Sequence, residues 1–309
     1  MIRVLLTAAL TVLVWGVTFV NTRALLDDFS ALEINVLRFF VAYLALWAIR
    51  PERRPFAWRT ERLFMLLGLT GVASYQLLEN CAIHYTNASN VSILVALNPV
   101  IAAVLARVFF REKSLTPLFF VGFAVAITGV SMVCLGGIRA FSFRPAGDLM
   151  AVCAMLSWGF YTMFVKEAND LGVDPAVATR RAFLWALVFM SPFVLFGLTP
   201  RGGEVAEGAL RVTLGWAANR ARFASWLNLA NLAFLGILAS AACFVWWSRA
   251  CRVFGVVRCT VGLYLIPVVT VVFAYVFLGE TLTPVSAAGA LLVIAGVVLS
   301  EWRPRRLGG

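Results

Sequence analysis

Two opposite charges inside apolar stretches are the residues of this sequence most able to do chemistry. Glu79 lies some four residues from the end of one stretch, roughly 6 Å inside it at 1.5 Å per residue. Arg38 enters the neighbouring stretch from the same side, roughly 10 Å deep. A carboxylate at that depth needs a partner or a proton, so Glu79 could pair with Arg38, bind a substrate amine or carry a coupling proton. The plainer reading is a snorkelling side chain that reaches headgroup water, and it applies to Arg38 as well. Trp15 and Trp158, each followed by glycine, could line a cavity and hydrogen-bond a substrate, or simply pack. Tyr75, Gln76, Asn80, Asn98, Tyr161, Trp246 and Tyr264 complete a candidate lining of aromatic walls with few polar groups. Such a pocket suits a small amphipathic organic molecule and suits an inorganic ion poorly. Pro99 and Pro267 each remove a helical hydrogen bond and displace the carbonyl four residues earlier, at Val95 and Leu263, which predicts two helix kinks beside a central path. Asn98 could instead satisfy such a freed carbonyl.

The elements that hold these residues are membrane helices. Of 309 residues, 62% are hydrophobic and 13% charged, and the mean hydropathy of +0.90 excludes a soluble core. Breaks of Pro, Gly, Asn or charge separate ten stretches of bilayer-crossing length, near 4–25, 31–49, 63–83, 89–109, 115–136, 147–167, 176–197, 229–250, 256–278 and 284–302. They repeat. Trp15-Gly16 returns as Trp158-Gly159, Arg23 as Lys166 and Arg38 as Arg181, all 143 residues on (158−15). Asn98-Pro99-Val100 matches Ile266-Pro267-Val268, and Glu112 matches Glu280, 168 residues on (267−99). Leu115-Thr116-Pro117 and Leu282-Thr283-Pro284 match at 167 (284−117). The domains read as 1–137 and 145–303, five helices each. An odd number per half forces the second half into the membrane from the opposite side, the inverted repeat of secondary transporters. The fold class is therefore all-α integral membrane, ten transmembrane helices in two inverted five-helix repeats.

The formal charge of +11 is a matter of placement rather than a nucleic-acid footprint. With the N-terminus inside, cytoplasmic segments hold 18 of the 26 Lys and Arg residues, including the run Arg50, Arg53, Arg54, Arg59 and Arg62, so both termini are expected in the cytoplasm. The first stretch runs on without a cleavage-like site and has an internal copy, which favours a retained helix over a leader. Arg181, about five residues into its span, reads as an interfacial side chain, and His84 as a solvated loop residue. The six cysteines form no C-x-x-C pair, so neither a zinc site nor a disulfide scaffold is implied. The long loop at 199–228, with Trp216, Arg220, Arg222 and Trp226, is either a surface-lying amphipathic helix or a solvated linker. Glycines seven apart in the fifth and tenth spans, Gly122 and Gly129, Gly289 and Gly296, predict tightly packed scaffold helices at the periphery.

Several motifs resemble those of the drug/metabolite transporter superfamily, in its ten-helix branch built from two EamA domains. They are the Trp-Gly near the start of each half, Tyr85-Thr86-Asn87-Ala88-Ser89, Leu97-Asn98-Pro99-Val100 with Leu265-Ile266-Pro267-Val268, and Phe277-Leu278-Gly279-Glu280. The first half departs with Phe109-Phe110-Arg111-Glu112, where Arg replaces Gly, and the second with Val256-Val257-Arg258-Cys259 in place of the small polar run. The resemblance implies a secondary carrier in a bacterial inner membrane, most often an exporter of amino acids, related metabolites or drug-like compounds. Multidrug efflux and metabolite uptake stay open beside it, as do proton antiport, exchange and facilitation. An enzyme is disfavoured, since one histidine, no H-E-x-x-H and no Ser–His arrangement leave no catalytic cluster. A channel would more naturally repeat polar rings along its path. No catalytic residue, metal or cofactor is assigned. The expected partners are a small organic substrate and the lipid bilayer, with a homodimer left open and no nucleic acid.

Overall fold

The computed structural model describes residues 1–25, 28–51, 57–85, 91, 94, 97–111, 116–135, 144–195, 220–278 and 283–301. Thr86 to Ser89, Glu112, Gly279-Glu280, residues 199–219 of the long loop, and the side chains of Arg23, Asn80, His84 and Cys134 lie outside the described residues. Among the described residues every regular element is helical. The first half contains α1 (Ile2–Leu25), α2 (Ala31–Ile49), α3 (Trp58–Gly68), α4 (Tyr75–Tyr85), α5 (Asn98–Phe110) and α6 (Pro117–Leu135). The second contains α7 (Pro145–Asp170), α8 (Pro175–Leu195), α9 (Trp226–Ala233), α10 (Cys243–Phe254), α11 (Val256–Gly262), α12 (Leu265–Leu278) and α13 (Pro284–Glu301). α3 runs into α4 through a wide π-helical stretch at Leu69–Ser74, and α9 into α10 through another at Phe234–Ala242. With α11 and α12 as one broken span, these helices make ten spans.

Local sequence sets where the spans begin. Ser30 and Glu33 close a reciprocal capping box on α2, the Glu33 amide donating to Ser30 Oγ and the Ser30 amide to Glu33 Oε2. Asp174 Oδ1 accepts from the amides of Ala176 and Val177 at the head of α8. The repeated Thr-Pro works twice: Thr116 and Thr283 accept from the amides of Phe119 and Ser286, each at 3.1 Å, while the proline occupies the first helical position.

The outside of the bundle is apolar, with Leu5, Leu44, Trp47, Phe109, Val276 and Leu291 exposed, the inverse of a soluble surface. Four runs, Leu32–Ile49, Pro145–Asp170, Pro175–Val194 and Trp226–Phe254, are long and apolar enough to cross a bilayer by themselves. Shorter apolar helices supply spans one, four, five, nine and ten.

Packing obeys the repeat. α1 lies against α12 as α7 lies against α5, and α1 against α10 as α7 against α4. α2 meets the second π stretch as α8 meets the first. Exchanging the halves maps each contact onto another, so the inverted repeats are related by a pseudo-two-fold axis. α6 and α13 pack on each other to the side. A Cβ added to Gly129 would stand 2.6 Å from the Gly289 carbonyl oxygen, and one on Gly296 would stand 2.5 Å from the Ala126 amide nitrogen, so backbones meet along this seam.

Candidate functional site

Aromatic rings fill the seam where the halves meet. Trp15 and Trp158 lie edge to face with centroids 5.9 Å apart. Around them stand Trp247, 5.4 Å from Trp15, and Phe244, 5.6 Å from Trp15 and 6.1 Å from Trp158. Tyr161 and Tyr75 flank Trp158 at 4.9 and 5.1 Å. The glycines beside the tryptophans bring this about: Gly16 packs on Val269 and Gly159 on Ile101, residues 168 apart (269−101), so each indole is pressed toward the other half.

The matched indoles are not equivalent. Trp15 Nε1 donates to the Ala239 carbonyl at 2.9 Å, where the second π stretch loosens the helical ladder. In the first π stretch the Thr70 carbonyl takes its outside donor from Ser157 Oγ, at 2.8 Å. Trp158 Nε1 therefore has no such role, and it is buried with no hydrogen-bond partner among the described groups. Trp247 Nε1, Tyr264 Oη and Asn98 Oδ1 share that condition.

The charges stand beside this cluster. Tyr75 Oη donates to Glu79 Oε1 at 2.9 Å, one helical turn away on α4. Arg38 is buried, its Nε donates to Ser240 Oγ at 3.0 Å, and its guanidinium lies 5.1 Å from the Phe39 ring centre. Arg38 and Glu79 stand on the packed spans α2 and α4. The direct ion pair considered for them is not formed among the described contacts, since each holds a neutral partner instead. Arg181, the repeat of Arg38, is engaged: its Nη2 meets Glu61 Oε2 at 2.5 Å, and Trp185 Nε1 donates to the other oxygen at 2.6 Å.

Both proline-bearing spans are interrupted. α5 begins at Asn98, with Pro99 in its first turn. α11 ends at Gly262 and α12 begins at Leu265, so the chain breaks just ahead of Pro267, where the Ile266 amide reaches the Leu263 carbonyl at 3.0 Å. Tyr264 occupies that break and is buried.

A narrow cleft lies between spans three, six, seven and eight. Tyr161, Phe244 and Phe183 form its inner end, and Ala168, Ala178, Thr179 and Ser248 lead toward the face that carries the N-terminus. On the opposite face, among the described residues, spans one and two are tied to the entry of span eight. Arg222 donates to Glu33 Oε1 at 2.7 Å and to the Asp28 carbonyl at 3.2 Å, and it stacks 4.7 Å from the Phe29 ring centre. Asn228 Nδ2 donates to Asp28 Oδ2 at 2.7 Å, and Asn21 to Asn231 at 2.7 Å just below.

Of the candidate residues, Trp15, Trp158, Tyr75 and Tyr161 meet in one cluster with Glu79 attached. Gln76 and Trp246 are half-buried, and Trp246 packs at the rim of the core. The residue that joins the cluster from α10 is Trp247, one step of about 100° around the helix. Ser240, Phe244 and Trp247 escaped selection. The 168-residue register that sets Trp247 opposite Glu79 held the signal for one of them.

The sequence matches the EamA-like transporter family over residues 2–135 and 145–302. It is 33% identical over 299 residues, 95% of this chain and 92% of its relative, to a probable terminal-alkyne amino-acid exporter of Streptantibioticus cattleyicolor. Probable amino-acid metabolite efflux pumps of Salmonella typhimurium and Escherichia coli are 26% and 25% identical over 95% and 96% of the chain, and over 93% and 95% of their own lengths. A solved crystal structure shares the fold at a TM-score of 0.74, covering 96% of this chain and 98% of its own, with 16% sequence identity. Two matched segments, ten spans in inverted repeats and an aromatic seam between them place the chain in the EamA-like transporter family, as a multi-pass membrane transporter and not an enzyme.

Proposed function

We propose that the chain is a secondary exporter of amino acids or related small organic metabolites, working by alternating access between its two inverted halves. One observation carries the reading: a cleft reaches Tyr161 and Phe244 of the aromatic seam from one face, while on the other, among the described residues, an ion pair and amide contacts join spans one and two to span eight. Two halves that rock about the seam would open these faces in turn. The names of the relatives support the substrate class and the direction. The excess of basic residues on the face that carries the N-terminus supports a cytoplasmic location for both termini in a bacterial inner membrane. The cleft would then admit substrate from the cytoplasm, and Trp15, Trp158, Tyr75, Tyr161 and Glu79 would receive it.

Proteoliposomes of the purified chain, loaded with a mixed pool of amino acids and small metabolites, test this with and without a pH gradient. Selective, saturable and stereoselective loss of one class from the lumen is the expected result, and gradient dependence would identify proton coupling. A folded protein that moves nothing, or that leaks every solute without saturation, would sink the carrier reading.

A further inference from the structure

We propose that Arg38 and Glu79 are the two poles of a zwitterion site, the guanidinium taking the α-carboxylate of an amino acid and the carboxylate taking its α-ammonium. This rests on the exporter reading above and specifies the chemistry of its substrate.

Geometry supplies the first argument. Arg38 on α2 and Glu79 on α4 are opposite charges on adjacent, packed spans, and each is held by a neutral group. Ser240 Oγ occupies only the Nε of Arg38, and Tyr75 Oη occupies only Oε1 of Glu79. Among the described residues, the terminal nitrogens of the guanidinium and the second carboxylate oxygen keep their bonding capacity. Two opposite charges in a low-dielectric interior that do not close on each other leave room for a ligand carrying the complementary pair.

The repeat supplies the second. Arg181, the counterpart of Arg38, already holds Glu61, as a structural ion pair would. Among the described residues Arg38 has no equivalent carboxylate at bonding distance, and the register gives Glu79 a tryptophan, Trp247, as its counterpart. The combination of Arg38 with Glu79 therefore has no counterpart in the other half. The orphaned indole N–H of Trp158, whose ring lies 5.1 Å from that of Tyr75, adds a second donor to the Arg38 guanidinium beside the acceptor pole of Glu79. The rings of Trp158, Tyr161 and Phe244 would then receive an apolar substrate side chain.

The clamp demands both poles. A ligand without the carboxylate leaves Arg38 uncompensated, and one without the ammonium leaves Glu79 so, and a site built for a polar group rejects the analogue that lacks it by about 100-fold or more. A proton-carrying Glu79 would behave differently: its glutamine variant would lose gradient-driven transport and keep exchange, whereas loss of the ammonium partner removes both.

The test uses the full chain in proteoliposomes loaded with the proteinogenic L-amino acids and L-propargylglycine, efflux being followed by mass spectrometry. Whichever amino acid is exported is then challenged with its own amide, a cation without the carboxylate, and its N-acetyl form, an anion without the ammonium. The wild type should export the zwitterion undisturbed by a large excess of either derivative. Arg38→Gln and Glu79→Gln should each lose efflux and exchange of the zwitterion by about 100-fold. Purified Arg38→Gln should gain thermal stabilisation by the amide, and Glu79→Gln by the N-acetyl form. Inhibition of the wild type by either derivative as strongly as by the amino acid would overturn the clamp, as would wild-type efflux by either variant. If a variant does not fold, the wild-type competition decides alone. If the wild type exports no amino acid, the clamp falls, and if it moves no small metabolite either the exporter reading falls with it; export that survives both substitutions removes only the clamp.

Discussion

At the scale of single residues, the two matched tryptophans separate structure from binding. Trp15 spends its indole N–H on the Ala239 carbonyl, whereas Trp158 keeps an unpartnered one. Trp15→Phe and Trp158→Phe remove similar volume, so the difference between them isolates the hydrogen bond. Trp15→Phe should lower stability by about 1 kcal/mol more than Trp158→Phe, because it strands a buried carbonyl. Trp158→Phe should instead raise the KM for export, and thermal unfolding with efflux kinetics reads both. The sequence made the pair visible, because Trp-Gly recurs at a fixed spacing. It could not reveal their inequivalence, which depends on a carbonyl loosened in a distant helix. Arg38 and Glu79 were legible as buried charges, but their neutral partner Ser240 lies in another half of the chain and carries no local signature. Trp246 drew attention for its type, and Trp247 does the packing, since adjacent helical residues face about 100° apart and only the contact decides which faces inward.

At the scale of elements, repeats and turn residues did most of the work. Thr-Pro marked the starts of α6 and α13, and the proline motifs marked the interruptions ahead of α5 and α12. The spacing of Gly122, Gly129, Gly289 and Gly296 foretold a seam, and α6 and α13 form it. Gly129→Ala should cost about 1–3 kcal/mol, because its Cβ would push against rigid backbone on α13. Gly262→Ala, with no atom within 4 Å of the added carbon, should change stability by no more than about 0.5 kcal/mol. Tryptophan-fluorescence melting of the two variants in detergent checks the contrast, and equal melting temperatures would show that the seam does not hold the bundle. The π stretches were not legible at all. No proline or charge announces them, and their existence follows from what the neighbouring spans bond to.

For the whole molecule, the ion pairs compared at the two faces differ in length and burial. The Arg222–Glu33 pair is 2.7 Å long with side chains 9% and 4% exposed. At the face that carries the N-terminus, the Arg50–Asp174 pair is 3.6 Å long with side chains 47% and 32% exposed. A buried pair that loses one member leaves a costly unpaired charge, whereas an exposed one is compensated by water. Glu33→Gln should therefore favour the conformation in which its face opens, and Asp174→Asn should change little. In a cysteine-free background with a single cysteine at Asn21, labelling by a membrane-impermeant maleimide should speed up several-fold in the first variant only. No change in labelling would mean that the Arg222–Glu33 contact does not govern access.

The paired wide turns have a bearing on how such a site tolerates change. A π turn fits more residues into one revolution than an α turn does, so the stretch at Leu69–Ser74 resets the angular phase of everything that follows it on the span. α3 uses one face of its span to pack on α8, and α4 turns another toward α7 and carries Tyr75 and Glu79 into the seam. The aim of those two side chains is thus encoded in chain length rather than in residue type. Within Leu69–Ser74, Gly71 must stay a glycine because a Cβ there would stand 2.2 Å from the Tyr161 ring, and Val72 and Ala73 can be exchanged for other small apolar residues while the aim is kept, but gain or loss of a single residue would swing Glu79 by about 100° and point the carboxylate at a different neighbour.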